Sequence, residues 1–475
     1  MSTSNPATQS LARTWWAVSS TRARLTALGA GVIVLALGAT SVFVWNSPSN
    51  PVTRVLAANA QEVESDRMLT ERNALLSQIV DLRSALASSK ETLTASQEQQ
   101  AALQQALWSA EGTLEAMAAN ESSSPKAPVK APAKSPTTAA IAAPSKAEIV
   151  NPASRYFGMY TEQAPFNWAT YDGTADKIGS TPNAVGYFGG WDEAFRPSAV
   201  TRSWQRGTLP ILTWESRPIG SGNDRVEEPE YQLPAIIGDP AAGVAGSHDD
   251  YIRQYARDII ATGLPLGIRL NHEMNGIWYP WSETDGAGNP INGNRPGDFV
   301  KMWQHVHDIF EQEGANSLVV WIWSPNIINN LPTSNQPSSF LDGLYPGDDY
   351  VDWVGLSGYL RPAYKPDNDF SFDYTFGRSL AELRRISTKP IFLTEIGASE
   401  TGGQKAAWIA SLFEALAQPV NADIIGFSWF SLAVTSYVEG ERATNDWRID
   451  SRADSTAAFA IGLSLPNGRF DLAAR

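Results

Sequence analysis

Between residues 155 and 430 the chain alternates strand-like and helix-like patterns, and this limits the fold more than any other feature. Short β-rich runs occur at 156–160 (YFGMY), 184–188 (AVGYF), 209–215 (LPILTWE) and 266–273 (LGIRLNHE). They continue at 318–326 (LVVWIWSPN), 351–359 (VDWVGLSGY), 390–397 (PIFLTEIG) and 424–430 (IIGFSWF). Amphipathic runs of helical spacing separate most of them, at 251–262, 296–313, 374–386 and 404–417. Eight strands alternating with helices predict a (β/α)8 TIM barrel over residues 153–475. The first crossover carries no clear helical run.

In such a barrel the reactive groups lie where the strands end. The third run ends in Trp214-Glu215 and the fourth in Asn271-His272-Glu273. The fifth ends in Trp323-Ser324-Pro325-Asn326, and the sixth in Ser357-Gly358-Tyr359. The seventh ends in Thr394-Glu395 and the eighth in Trp429-Phe430. Topology therefore delivers Glu273 and Glu395 to one rim, with Glu215 beside them. A carboxylate closing an apolar strand such as PIFLT is costly unless solvated, paired or used. The plain structural alternative is an ion pair with a rim arginine. For Glu273 that partner is Arg269, on the same face of its strand. The Tyr359 hydroxyl is expected to point towards the carboxylate of the next strand. Trp278, Tyr279 and Trp281 follow Glu273, and aromatic faces beside a proton donor suit sugar chemistry. Glu215 is a further substrate-binding candidate.

The seventeen tryptophans, thirteen of them beyond residue 150, exceed what packing usually requires. With no cysteine, disulfides and thiolate metal sites are excluded. The four histidines have no metal-ligand spacing, and no metal or cofactor is expected. The net charge of −14 is uneven: residues 1–150 carry +1 and residues 151–475 carry −15. Such an acidic C-terminal part argues against a nucleic-acid partner.

The N-terminal third reads as a separate apparatus. Residues 1–24 carry three arginines and no acid, and residues 25–45 are uncharged and apolar. That span is long enough for a transmembrane helix, with the arginine side cytoplasmic and the remainder outside. A cleaved signal peptide is the competing reading. From Leu75 to Met117 a seam at alternating spacings of four and three, apolar except for Ser89, Ser96 and Gln100 in its middle, reads as a coiled coil. A helix over 62–118 would reach about 85 Å and is expected to form a homo-oligomer. Residues 119–152, rich in Pro, Ala, Ser, Thr and Lys, read as an extended linker.

HEMNGIWYPW at the fourth strand, VWIWSPN, GLSGY, LTEIG and NDWRID at 445–450 together resemble glycoside hydrolase family 26, the β-mannanase family of clan A. The resemblance covers roughly residues 155–465. It implies retaining hydrolysis of a β-linked polysaccharide, with Glu273 as acid/base and Glu395 as nucleophile. It also implies that His272 binds substrate and tunes Glu273, and that Tyr359 hydrogen-bonds the nucleophile. Trp429 would lie under the reacting sugar and Trp278 near the cleavage point. Many mannanases of the family carry Trp-Phe-Trp-Trp-Gly after the acid/base. The segment Trp278-Tyr279-Pro280-Trp281-Ser282 is more similar to the branch with mixed-linkage β-glucanases. Asn326, Arg269, Trp214 and Glu215 complete the expected substrate-binding set.

Two other classes compete: a non-catalytic surface glycan-binding protein on a degenerate barrel, and an envelope protein whose stalk is the working part. The pair of glutamates argues against the first and the aromatic rim against the second.

Overall fold

The computed structural model describes residues 141–222, 225–361, 371–400, 403–438 and 441–475. The expected transmembrane helix at 25–45, the coiled coil at 62–118 and most of the linker lie outside them. Among the described residues no helix is long and apolar enough to cross a membrane.

Eight parallel strands close into a barrel: β1 Tyr156–Tyr160, β2 Ala184–Gly190, β3 Leu209–Glu215, β4 Leu266–Leu270, β5 Val319–Trp323, β6 Trp353–Leu360, β7 Ile391–Ala398 and β8 Ile424–Phe430. β1 pairs with β8, with Tyr156 opposite Gly426 and Tyr160 opposite Phe430. Every residue of β3 to β7 is buried. Strands covered on both faces read as unbroken apolar runs, which is why they stand out in the sequence.

A short helix, α1 (Lys146–Val150), precedes the barrel. The crossovers carry α2 (Ala169–Ile178), α3 (Pro197–Trp204), α4 (Leu233–Ile237) with α5 (Asp249–Thr262), and α6 (Asp298–Glu313). They continue with α7 (Ser338–Asp342), α8 (Phe372–Ile386) and α9 (Lys405–Leu416). α10 (Ala453–Leu463) follows β8.

Three boundaries differ from the sequence reading. The first crossover does hold a helix: α2 buries Tyr171, Thr174, Ala175 and Ile178, but Gly173 and its threonines blur the apolar stripe. The folded domain starts before residue 153. Ser145 caps α1, Ile149 is buried, Lys146 pairs with Asp352 at 2.8 Å, and Trp353 Nε1 donates to the Val150 carbonyl at 3.0 Å. After β8 the chain makes an unexpected antiparallel hairpin, β9 (Ala433–Val438) with β10 (Glu441–Asp446). Its strands mix polar and apolar residues too irregularly to show a period.

One irregularity in the barrel aims the site. Against β6, Phe392 pairs with Gly355 and Glu395 with Ser357; against β8, Leu393 pairs with Phe427 and Ile396 with Trp429. β7 thus holds one residue more than either neighbour just where Glu395 sits. Such a bulge breaks the two-residue alternation and re-aims a side chain. Consecutive residues can then face the interior: Thr394 Oγ1 meets Ser324 Oγ at 2.6 Å, and Glu395 meets Arg269.

Candidate active site

The chain leaves β4 through a strained turn. Asn271 and Glu273 have φ of 41° and 55°, a left-handed backbone that side-chain-bearing residues seldom adopt. Hydrogen bonds hold it there. Asn271 N donates to the Trp214 carbonyl (2.9 Å), and Ser216 N donates to Asn271 Oδ1 (2.8 Å). Glu273 N donates to the Ser324 carbonyl (2.7 Å). The turn places His272 and Glu273 over the barrel mouth.

Glu273 is 0% exposed. Trp278 Nε1 donates to its Oε2 at 2.9 Å, and among the described residues no hydrogen bond of normal geometry reaches Oε1. Burial raises its pKa most, and the Glu395 carboxylate raises it further. Arg269, Asn326 and the Trp278 indole pull the other way without cancelling the rise. A protonated carboxyl at neutral pH is the state a general acid needs. Asn326 itself is fixed by a reciprocal pair with Asn275: its N donates to Asn275 Oδ1 and its carbonyl accepts from Asn275 Nδ2, both at 2.8 Å.

Glu395 sits in the opposite kind of environment. Arg269 Nη1 donates to Oε2 at 2.6 Å and Tyr359 OH to Oε1 at 2.5 Å. Arg269 therefore partners the β7 glutamate and not Glu273. The guanidinium lies fully buried in the barrel, held also by Ser324 Oγ (3.1 Å), Thr213 Oγ1 (3.4 Å) and Ser357 Oγ. Its role is to support Glu395 from inside. Burial pushes the Tyr359 hydroxyl far above its ordinary pKa, so it stays a donor. The ion-pair alternative and the functional reading of Glu395 thus describe the same contact.

On the other side of Glu273, Tyr279 and Trp281 stack at 4.4 Å with planes 17° apart. Trp281 Nε1 donates to the His272 carbonyl (2.8 Å), and Tyr279 OH lies 3.0 Å from His272 Nε2. Burial, with Arg269 and Arg217 nearby, keeps His272 neutral well below its usual pKa. Glu215 Oε1 lies 3.8 Å from His272 Nδ1, and Arg217 grips both Glu215 oxygens at 3.1 Å. The Arg217 guanidinium also lies 4.8 Å from the Tyr279 ring centre. Nothing in the loop sequence after Glu215 singled out Arg217.

Two expected substrate-binding tryptophans are elsewhere. Trp214 follows inward-facing Thr213, so it points out of the barrel. It stacks on Tyr255 of α5 at 4.5 Å and donates to Tyr251 OH at 3.3 Å. Trp429 likewise points out, between Trp408 (5.7 Å) and Phe459 (4.8 Å). The next residue, Phe430, faces in beside Tyr160 (6.1 Å) and Tyr359 (5.9 Å). On this side the tryptophan that reaches the site is Trp447 of the NDWRID segment. Its ring lies 4.8 Å from that of Tyr359, and the Arg361 guanidinium lies 5.9 Å from its centre. The segment was visible in the sequence, but it closes the hairpin strand β10 and ends no strand of the barrel.

Residues 212–408 match the family model of glycosyl hydrolase family 26. The matched segment contains Glu215, Glu273 and Glu395. Among curated proteins, Endoglucanase H of Acetivibrio thermocellus is 34% identical over 268 residues, 56% of this chain and 25% of that protein. A mannan endo-1,4-beta-mannosidase of Bacillus subtilis is 26% identical over 264 residues, 52% of this chain and 66% of that protein. This chain therefore spans less than two thirds of either relative. A solved Bacillus subtilis mannanase aligns with a TM-score of 0.40 at 20% identity, covering 60% of this chain and 82% of that one. The family match and the relatives support a glycoside hydrolase domain of the β-mannanase and β-glucanase type.

Proposed function

We propose that the barrel is a retaining endo-β-glycosidase acting on a β-linked hexan, either β-1,4-mannan or a mixed-linkage or β-1,4-glucan. One observation carries the reading: two buried carboxyls at the ends of β4 and β7 stand in opposed environments. One is pushed towards its protonated form, and the other accepts from an arginine and a tyrosine. Environments that separate two carboxyls assign acid and nucleophile. Glu395 attacks the anomeric carbon while Glu273 protonates the departing oxygen. Water, deprotonated by Glu273, then releases the sugar from Glu395. His272, Tyr279 and Trp281 wall one side of the site, and Tyr359 and Trp447 the other.

The N-terminal sequence pattern supports a cell-surface arrangement: an uncleaved single-pass anchor at 25–45, a self-associating stalk at 62–118 and an extracellular barrel. N-terminal sequencing of the mature protein tests the anchor, since a start near residue 40 would contradict it.

A reducing-sugar assay of the protein on β-mannan, lichenan, xylan and cellulose tests the activity. Reducing ends are expected from mannan or a β-glucan. No hydrolysis of any of the four would overturn the reading.

A further inference from the structure

Lys405 opens α9, yet it is 0% exposed. A buried ammonium is costly unless its N–H groups are used and a counter-charge is near. Here Nζ donates to the carbonyls of Asp446 (2.9 Å) and Arg448 (2.7 Å) and to Ser451 Oγ (2.8 Å). Glu400 Oε1 lies 3.0 Å away and accepts from Ser451 Oγ.

The two carbonyls belong to the residues on either side of Trp447. The Trp447 peptide is itself held twice: Trp429 Nε1 donates to its carbonyl at 2.6 Å, and its N donates to the Leu432 carbonyl at 2.9 Å. The backbone around this one tryptophan is thus pinned by four hydrogen bonds, while its ring meets Tyr359. The same helix end reaches two more site loops. Glu400 follows β7, the strand of Glu395. Gln404 Nε2 donates to the carbonyl of Arg361, just after β6, at 2.8 Å.

Stability alone does not explain such a centre, because apolar side chains of similar volume often stabilise as well as a buried charge cluster. What the charged cluster supplies is a fixed backbone geometry.

We propose that Lys405 is a positioning residue: together with Trp429 it sets the Trp447 ring against Tyr359, and so fixes the wall of the sugar site beside Glu395. This rests on the glycosidase reading above. Trp429 then acts through Trp447 and touches no sugar.

A double-mutant cycle in the full chain tests it. Lys405→Met keeps the side-chain length and removes the donors and the charge. Trp429→Phe keeps the packing on Trp408 and Phe459 and removes the donor. Each is combined with Trp447→Ala, and kcat and KM are measured on the polysaccharide that the wild type hydrolyses, with Tm alongside. Trp447→Ala is expected to lower kcat/KM about 100-fold, and each holding variant about tenfold, mainly in kcat, because small displacements at a reacting centre are costly. Each double variant should be no slower than Trp447→Ala alone, since losses through one shared residue do not add. Additive losses would overturn the proposal. Full activity of Trp447→Ala, with Glu395→Ala inactive, would also overturn it while leaving the glycosidase reading intact. An active Glu395→Ala, or a wild type that hydrolyses nothing, would sink the glycosidase reading and the proposal with it. If Lys405→Met does not fold, the Trp429→Phe cycle decides alone.

Discussion

Trp278 Nε1 donates to Glu273 Oε2 at 2.9 Å, and this bond holds the carboxyl by the oxygen that does not need its proton. The indole also lowers the Glu273 pKa. Trp278→Phe should therefore misplace the acid and raise its pKa together. As Glu273 gives up its proton the indole comes to bond a carboxylate, and a hydrogen bond to a charged group is worth about 1.5–3 kcal/mol, so kcat/KM on polysaccharide should fall by roughly 10- to 100-fold. The basic limb of the pH profile should move to higher pH. A limb that moves down, or no loss of activity, would contradict this role for Trp278.

Glu273 titrates at about 8, raised by burial first and by Glu395 second. The kcat/KM profile of the free enzyme should thus lose activity on its basic side near that pH, as the acid loses its proton. Glu395→Gln removes the neighbouring charge, so the Glu273 pKa should fall in that variant. Carbon NMR of labelled glutamate measures it directly, and an unchanged value would mean that the two groups do not interact. The sign for stability follows from the same shift. The folded pKa lies above the ordinary 4.5, so the group's favourable contribution is complete below 4.5 and is lost as pH rises towards 8. Glu273→Gln, which cannot ionise, should gain in Tm relative to wild type between pH 5 and 8.

Arg269 and Glu395 form a buried pair at 2.6 Å. Removing one partner of such a pair leaves an uncompensated charge, at a cost of about 3–5 kcal/mol. Arg269→Met should lower both stability and activity. The double variant Arg269→Met with Glu395→Gln should recover much of the stability and none of the activity. Urea unfolding separates the two effects. If the double variant is no more stable than Arg269→Met, the pair is not the main reason for the loss.

How much of this was legible in the sequence follows from what each residue touches. β3 to β7 are buried on both faces, so LPILTWE and PIFLTEIG read as strands, and their glutamates fall at the rim by topology alone. The parity of side chains was not legible. Thr213 and Trp214 are neighbours on one apolar run, and only the contact with Tyr255 shows that the tryptophan faces the helices. Trp429-Phe430 poses the same ambiguity and resolves in favour of phenylalanine. Glu395 also depends on parity, and the extra residue in β7 that aims it leaves no mark in PIFLTEIG. Trp447 and Arg217 lie in segments that carry no hydrophobic period, and Lys405 reads as a helix-surface lysine until its four partners are seen.

The two glutamates should fail in different ways when each is removed. Glu395→Ala takes away the attacking group, so activity should vanish on every substrate, however good its leaving group. Azide is small enough to enter the space left behind and attack the anomeric carbon directly, restoring turnover with an inverted product. Glu273→Ala keeps the nucleophile and leaves the departing oxygen without a proton. Polysaccharide, whose leaving group is poor, should then be cut very slowly, by on the order of a hundredfold or more below wild type. A glycoside with a dinitrophenolate leaving group needs little protonation and should keep much more of its rate in forming the covalent intermediate. Azide here should intercept that intermediate, giving a product of unchanged configuration after two inversions. Proton NMR of the anomeric products distinguishes the two outcomes. If both variants lose activity equally on both substrate types, or if the azide products have the opposite stereochemistry, the roles given to Glu273 and Glu395 are wrong.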